Sequence, residues 1–286
     1  MSSSLDVVVG LLGQYHAGVE SFANEHLTLK EAFAPAQSAV DGLAADMGLS
    51  AWEIKTILIF VLAFPLGLVL NYLPGGAAVK HMFSLATGIL LSQFIMGYAW
   101  VHSLVTVAVS YLFMLVLPRK AAAGGVFFVT LAYLVYAHYR RMINDNLDED
   151  FSGPQMVLTI KLSTLAFQLF DGAKAPKEDK AAVANGKPAK APRVDNGPQP
   201  LKKTPNLIEY FGFCYSFSSF FVGPAFHYDE YNNSITGAKY RKFKGPNGEI
   251  VTHVPQGLFL DALKKFVTSV VFLAYFVYDK KNNYSA

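Results

Sequence analysis

Met82–Leu117 reads MFSLATGILLSQFIMGYAWVHSLVTVAVSYLFMLVL, thirty-six residues without one Asp, Glu, Lys or Arg. An α-helix rises 1.5 Å per residue, so as a single helix this stretch would run about 54 Å. The hydrocarbon core of a bilayer is about 30 Å thick and needs about 20 mainly apolar residues. The stretch is therefore read as two membrane passes, turning near Tyr98–His102 and closed by Pro118-Arg119-Lys120.

Working outward, Ile54–Leu73 has the length of one pass and is stopped by Pro74-Gly75-Gly76. Pro65 and Gly67 lie inside it, which membrane helices tolerate when neighbours satisfy the freed backbone groups. Gly125–Tyr139 is a short apolar span ending in Arg140-Arg141. Met156–Phe170 is shorter and contains Lys161, so it reads as buried in protein or re-entrant. Leu207–Val222 and Gly257–Tyr278 complete the set. No alternation of barrel length occurs. The fold expected is an all-α polytopic transmembrane helical bundle of about six to seven membrane segments.

Composition agrees. Charged residues are 16% of the 286 and mean hydropathy is +0.30, against about 25% charged in an ordinary soluble domain. The net charge of +3 carries no nucleic-acid signature, and Cys214 alone cannot form an intrachain disulfide or a thiolate cluster. Residues 1–50 are weakly amphipathic, with no basic region before Leu5 and no small-residue cleavage site. They are read as helices on or near the membrane surface. Transmembrane segments occupy 51–172 and 205–278, and 279–286 is a polar tail. Between them, 173–204 carries eight basic residues against three acidic and no aromatic. That composition predicts a disordered basic loop on the cytoplasmic side.

Polar residues within apolar runs are the candidates for chemistry, because lipid penalises them. Lys161, Thr164, Gln168 and Asp171 fall at helical spacing on one stripe. Two readings stand: a polar wall of a substrate-binding tunnel, with Lys161 drawing an anionic group, or an internally paired Lys161 facing another helix. Gly212, Ser216, Ser219 and Gly223 form a stripe of small residues suited to helix packing. Phe213, Phe217, Phe220 and Phe221 on the opposite faces are assigned to lipid, with the lining of an acyl pocket as the alternative. His102 is read as a hydrogen-bonded structural histidine at a helix turn, with proton transfer as the alternative. No zinc spacing, GxSxG elbow or Walker loop is present, so no metal and no bound cofactor are expected.

Three stretches add a resemblance. Phe151-Ser152-Gly153-Pro154-Gln155-Met156, running through Lys161-Leu162-Ser163 to Phe170-Asp171-Gly172, resembles a block of the membrane-bound O-acyltransferase family. Leu207-Ile208-Glu209-Tyr210-Phe211-Gly212, followed by Phe221-Val222-Gly223-Pro224-Ala225-Phe226 and then Tyr228, Asp229 and Tyr231, resembles a second. Phe64-Pro65-Leu66 and Phe83-Ser84-Leu85-Ala86-Thr87-Gly88 fit the lysophospholipid acyltransferase branch, in fungal-like form.

The resemblance implies acyl transfer from acyl-CoA, as co-substrate, to a lysophospholipid hydroxyl at the endoplasmic reticulum membrane. It also implies a catalytic histidine in a Trp-His-Gly context, aided by an upstream asparagine. Here Trp52 precedes Glu53 and Trp100 precedes Val101, so none of the seven histidines takes that role and no catalytic residue is assigned. The chain is expected to be an amino-terminal portion of such an enzyme, inactive by itself. The alternatives are a non-catalytic lipid-handling or transporter-like bundle and a regulatory relative of a full-length acyltransferase. No oligomeric state is assigned.

Overall fold

The computed structural model describes residues 2–27, 29–143, 150–174, 199–237, 243–244, 250–251 and 258–283. Most of the expected basic loop at 173–204, and the last residues of the tail, lie outside them. The chain is a helical bundle: α1 (Ser2–His26), α2 (Lys30–Met47), α3 (Ala51–Tyr72), α4 (Gly76–Met96), α5 (Trp100–Val116), α6 (Arg119–Ile143), α7 (Ser152–Lys174), α8 (Leu207–Cys214), α9 (Tyr228–Thr236) and α10 (Leu258–Asn283). The strands among the described residues are two residues each, pairing Phe243 with Val251 and Lys244 with Ile250.

Local chemistry sets the ends. Ser50 opens α3 with a capping box: its hydroxyl accepts from the Glu53 amide, and its own amide donates to the Glu53 carboxylate at 2.8 Å. The turn between α3 and α4 needs glycine, because Gly75 and Gly76 have φ of 108° and 80°, a region closed to most side chains. Between α4 and α5 the helix breaks into one 3-10 turn, Gly97–Ala99, where Gly97 sits at φ 54°. The break falls at the start of the region where a turn was expected.

Among the described residues, three helical stretches are long and apolar enough to cross a membrane: Ala51–Tyr72, Gly76–Val116 and Arg119–Ile143. Their outer faces are bare hydrocarbon, with Phe60, Val69, Val116, Phe128 and Val135 all exposed. No aqueous domain leaves apolar faces this long unpartnered; lipid covers them.

The remaining expected passes are built differently. Helix α7 lies at the centre, with Leu158, Leu162 and Leu165 fully buried, and α6 is its broadest neighbour. Ala122, Ala123 and Val126 on the buried face of α6 allow that close approach.

Leu207–Val222 is not one continuous pass. Helix α8 stops at Cys214, about 12 Å of helix, and the chain continues through turns. The small-residue stripe therefore does not survive as a helix face, since only Gly212 lies on α8. The four phenylalanines assigned to lipid are core residues instead: Phe213, Phe217, Phe220 and Phe221 are all buried. Once the helix ends, the chain packs between α4 and α7: Gly88 of α4 lies against the Tyr215 backbone, Phe83 against Phe217, and Lys161 of α7 reaches Ser219. Helix α10 keeps an exposed apolar face, including Val267, Val271 and Phe272, and meets α3 where the Phe64 and Phe266 rings lie 5.4 Å apart.

Candidate functional site

The predicted polar stripe divides. Lys161 is fully buried, and its ammonium donates to the Phe213 carbonyl at 2.5 Å, the Cys214 carbonyl at 3.3 Å and the Ser219 hydroxyl at 3.0 Å. The rings of Phe213 and Phe226 lie 4.6 and 5.0 Å from the same nitrogen. Helix α8 ends there, so its last carbonyls have no intrahelical donor. Lys161 donates to two of them, beside the Ser216 amide that also reaches the Phe213 carbonyl, and its charge suits the negative end of the helix dipole. Three donors meet three acceptors, which is the arrangement of the internally paired reading.

Gln168, also buried, donates from Nε2 to the Asp229 carboxylate at 2.6 Å and to the Gln199 carbonyl at 3.1 Å. Thr164 is half-buried and bonds back to the Ile160 carbonyl of its own helix. Asp171 is exposed. Two of the four thus bind α7 to the segment containing α8 and α9, and the other two face elsewhere. Next to this seam, the Tyr231 hydroxyl hydrogen-bonds His81 Nδ1 at 3.0 Å, and the Tyr228 hydroxyl donates to the Glu209 carboxylate at 3.2 Å. Burial raises both phenols above their ordinary range, so they serve as hydrogen-bond donors rather than bases.

His102 is buried on α5. Its Nδ1 pairs with the Tyr133 hydroxyl at 2.8 Å, and its ring is stacked between His16 at 4.5 Å and Phe151 at 4.4 Å. Glu20 contacts His16, so His16, Glu20 and His102 come together. The two imidazole planes are only 12° apart. Stacked rings hold their in-plane lone pairs in parallel sheets, so they do not converge on one ion. The cluster is a structural joint between α1, α5 and α6.

One apolar cavity among the described residues lies elsewhere, and its place is not read from the sequence. A cavity of about 320 Å³ opens between the first turns of α3, the end of α4 and the start of α7. Its wall is apolar: Ile59, Met96, Met156, Val157, Phe221 and Val222. Trp52 and the Arg141–Asp150 pair supply its polar groups. Arg141 Nη1 stands 3.4 Å from Asp150 Oδ2, with the arginine side chain 52% exposed and the aspartate 10%. Asp150 Oδ1 accepts from the Ser152 amide at 2.8 Å and so opens α7. An apolar cavity with a few convergent polar groups is the usual form of a small-molecule site. Of the phenylalanines for which an acyl pocket is the alternative reading, Phe221 lines this cavity; Trp52 and Arg141 stand at helix ends, and pairing those ends needs the topology.

Comparison with known proteins accords with this architecture. Residues 134–285 match the family model of MBOAT, the membrane-bound O-acyltransferase family. The chain is 31% identical over 196 residues to Lysophospholipid acyltransferase 2 of Arabidopsis thaliana, covering 67% of this chain and 39% of that protein. It is 25% identical over 211 residues to Lysophospholipid acyltransferase of Schizosaccharomyces pombe, covering 72% and 38%. With Membrane-bound glycerophospholipid O-acyltransferase 1 of Mus musculus it shares 32% over 169 residues, covering 57% and 32%. The matched part is thus less than half the length of each relative. With more than half of its residues inside the family match and a helical bundle faced with hydrocarbon, the chain belongs to the membrane-bound O-acyltransferase family.

Proposed function

We propose that the protein serves acyl-CoA-dependent O-acyl transfer to lysophospholipids, in the endoplasmic reticulum membrane, and that this chain holds the acyl acceptor without supplying the catalytic base. The observation that carries this reading is the family match across 134–285, where the relatives are lysophospholipid acyltransferases. The cavity supports it: apolar walls suit a lipid chain, and the Arg141–Asp150 pair in its lining supplies charge. In the transfer, the acceptor hydroxyl attacks the thioester carbonyl and loses its proton to a base as the thiolate of CoA leaves. None of the seven histidines stands in a Trp-His-Gly context. The most deeply buried of the candidates, His102, is enclosed by two stacked rings and a tyrosine, away from the cavity lining. Lys161 is likewise committed to backbone carbonyls, so it is a fixing residue of the α7–α8 seam.

The chain reconstituted in nanodiscs, given a lysophospholipid with a photoreactive acyl chain and radiolabelled acyl-CoA, tests both halves. Labelling should map to peptides that line the cavity and be competed by unlabelled lysophospholipid, with no acylated product. Absence of competed labelling contradicts the acceptor role. Product formation that His102→Ala abolishes contradicts the assignment of the base elsewhere.

A further inference from the structure

The Arg141–Asp150 pair is open in a way that bears on the head group. At 3.4 Å its contact is longer than the 2.7–2.9 Å of a tight charge-assisted bond, and the arginine side chain is half-exposed, so its orientation is not locked. Arg141 also reaches Ser152 Oγ at a loose 3.5 Å. Its guanidinium fork is therefore free to turn to a phosphate, the geometry that arginine matches best. Asp150 cannot follow, because Oδ1 is fixed by the Ser152 amide and the side chain is nine-tenths buried. Drawing Arg141 away leaves a buried carboxylate with its cation withdrawn, which is costly unless the ligand brings a replacement. Trp52 lines the same cavity, and an indole face attracts a quaternary ammonium.

Resting on the acyl-acceptor reading above, we propose that the Arg141–Asp150 pair is the head-group determinant of this cavity and selects zwitterionic lysophospholipids of the phosphocholine type. Phosphate exchanges onto Arg141, the ligand's ammonium takes Arg141's place beside Asp150 against Trp52, and the acyl chain lies along Ile59, Met96, Val157 and Phe221. A lysophospholipid with phosphate and no ammonium satisfies Arg141 and strands Asp150. No covalent step is involved.

The test uses the full chain in nanodiscs, photolabelled with a diazirine-bearing lysophosphatidylcholine and competed by unlabelled lysophosphatidylcholine or lysophosphatidic acid. The choline lipid should compete about tenfold better, a difference of one decade in Kd. Asp150→Asn, whose amide oxygen still accepts from Ser152, should bring the two competitors together or reverse them. Arg141→Gln should weaken both. Equal competition by the two lipids on the unaltered chain overturns the proposal, whether or not the variants fold, and so does an unchanged ratio in folded Asp150→Asn. In either of these cases the acceptor reading stands, because competed labelling is still seen. Labelling that neither lipid competes overturns both readings.

Discussion

Gln168 on α7 and Asp229 on α9 are joined by a 2.6 Å hydrogen bond, with the glutamine amide donating to the carboxylate across sixty-one residues of chain. The same amide reaches the Gln199 carbonyl, so one side chain binds three separate segments. A buried amide paired with a charged acceptor contributes more than an ordinary hydrogen bond, about 1.5–3 kcal/mol. Gln168→Leu should lower the apparent unfolding midpoint in detergent by several degrees. Asp229→Asn, which keeps an acceptor oxygen at the same place, should cost much less. Equal losses from the two variants would contradict the direction assigned to the bond.

Lys161→Met removes the donor to two backbone carbonyls and Ser219 while keeping volume. Leaving a buried acceptor without its donor costs about 1–3 kcal/mol, and three acceptors lose Lys161 at once, so the variant should lose its monodisperse peak in size-exclusion chromatography. A lysine facing an open tunnel would behave differently: its methionine variant would fold normally and lose ligand binding alone.

Two glycines set how closely α8 and the turn after it approach α4. A Cβ at Gly88 would lie 1.7 Å from the Tyr215 carbonyl oxygen, and one at Gly212 would lie 2.8 Å from the His81 carbonyl oxygen. Gly88→Ala should therefore prevent the native packing, and Gly212→Ala should weaken it. Gly67 inside α3 has nothing within 4 Å of its Cβ position. Gly67→Ala should be neutral or stabilising by about 0.5–1 kcal/mol. Expression yield and thermal midpoint of the three variants decide the matter.

Cys214 is fully buried, and burial pushes its thiol up to about 12, although the Lys161 ammonium pulls the other way. The thiolate is the reactive form, so at pH 7 to 9 the folded chain should resist maleimide and iodoacetamide. Unfolding in dodecyl sulfate should expose one reactive thiol per chain. Rapid alkylation of the native protein would show that the α7–α8 seam is not closed.

Much of this bundle is legible without coordinates, because its strongest term is local. The uncharged run from Met82 to Leu117 and the Pro74-Gly75-Gly76 stop after the preceding span act within a few turns of chain. The family blocks around Phe151 and Leu207 are legible for the same reason. What hydropathy cannot carry is which neighbour covers an apolar face. Phe217 and Phe220 read as lipid-facing because a greasy side chain looks the same against lipid or against protein; in the fold Phe217 meets Phe83 of α4 and Phe220 meets Tyr215. Their burial follows from the end of α8 at Cys214, where Lys161, more than fifty residues earlier, donates to the Phe213 and Cys214 carbonyls. Lys161 itself fits a tunnel wall and a paired core residue equally until its partners are known. Arg141 and Trp52 come to one cavity only through the path of α3 to α7.

If this chain forms the lipid-acceptor part of an O-acyltransferase, residues 1–286 should work in place of the matching region of the Schizosaccharomyces pombe lysophospholipid acyltransferase. Transfer of radiolabel from acyl-CoA to a lysophospholipid is measured in isolated membranes that carry the chimera. The chimera should form acylated product, and the 286-residue chain alone should form none. A membrane-inserted, monodisperse chimera that forms no acylated product would contradict the acceptor assignment.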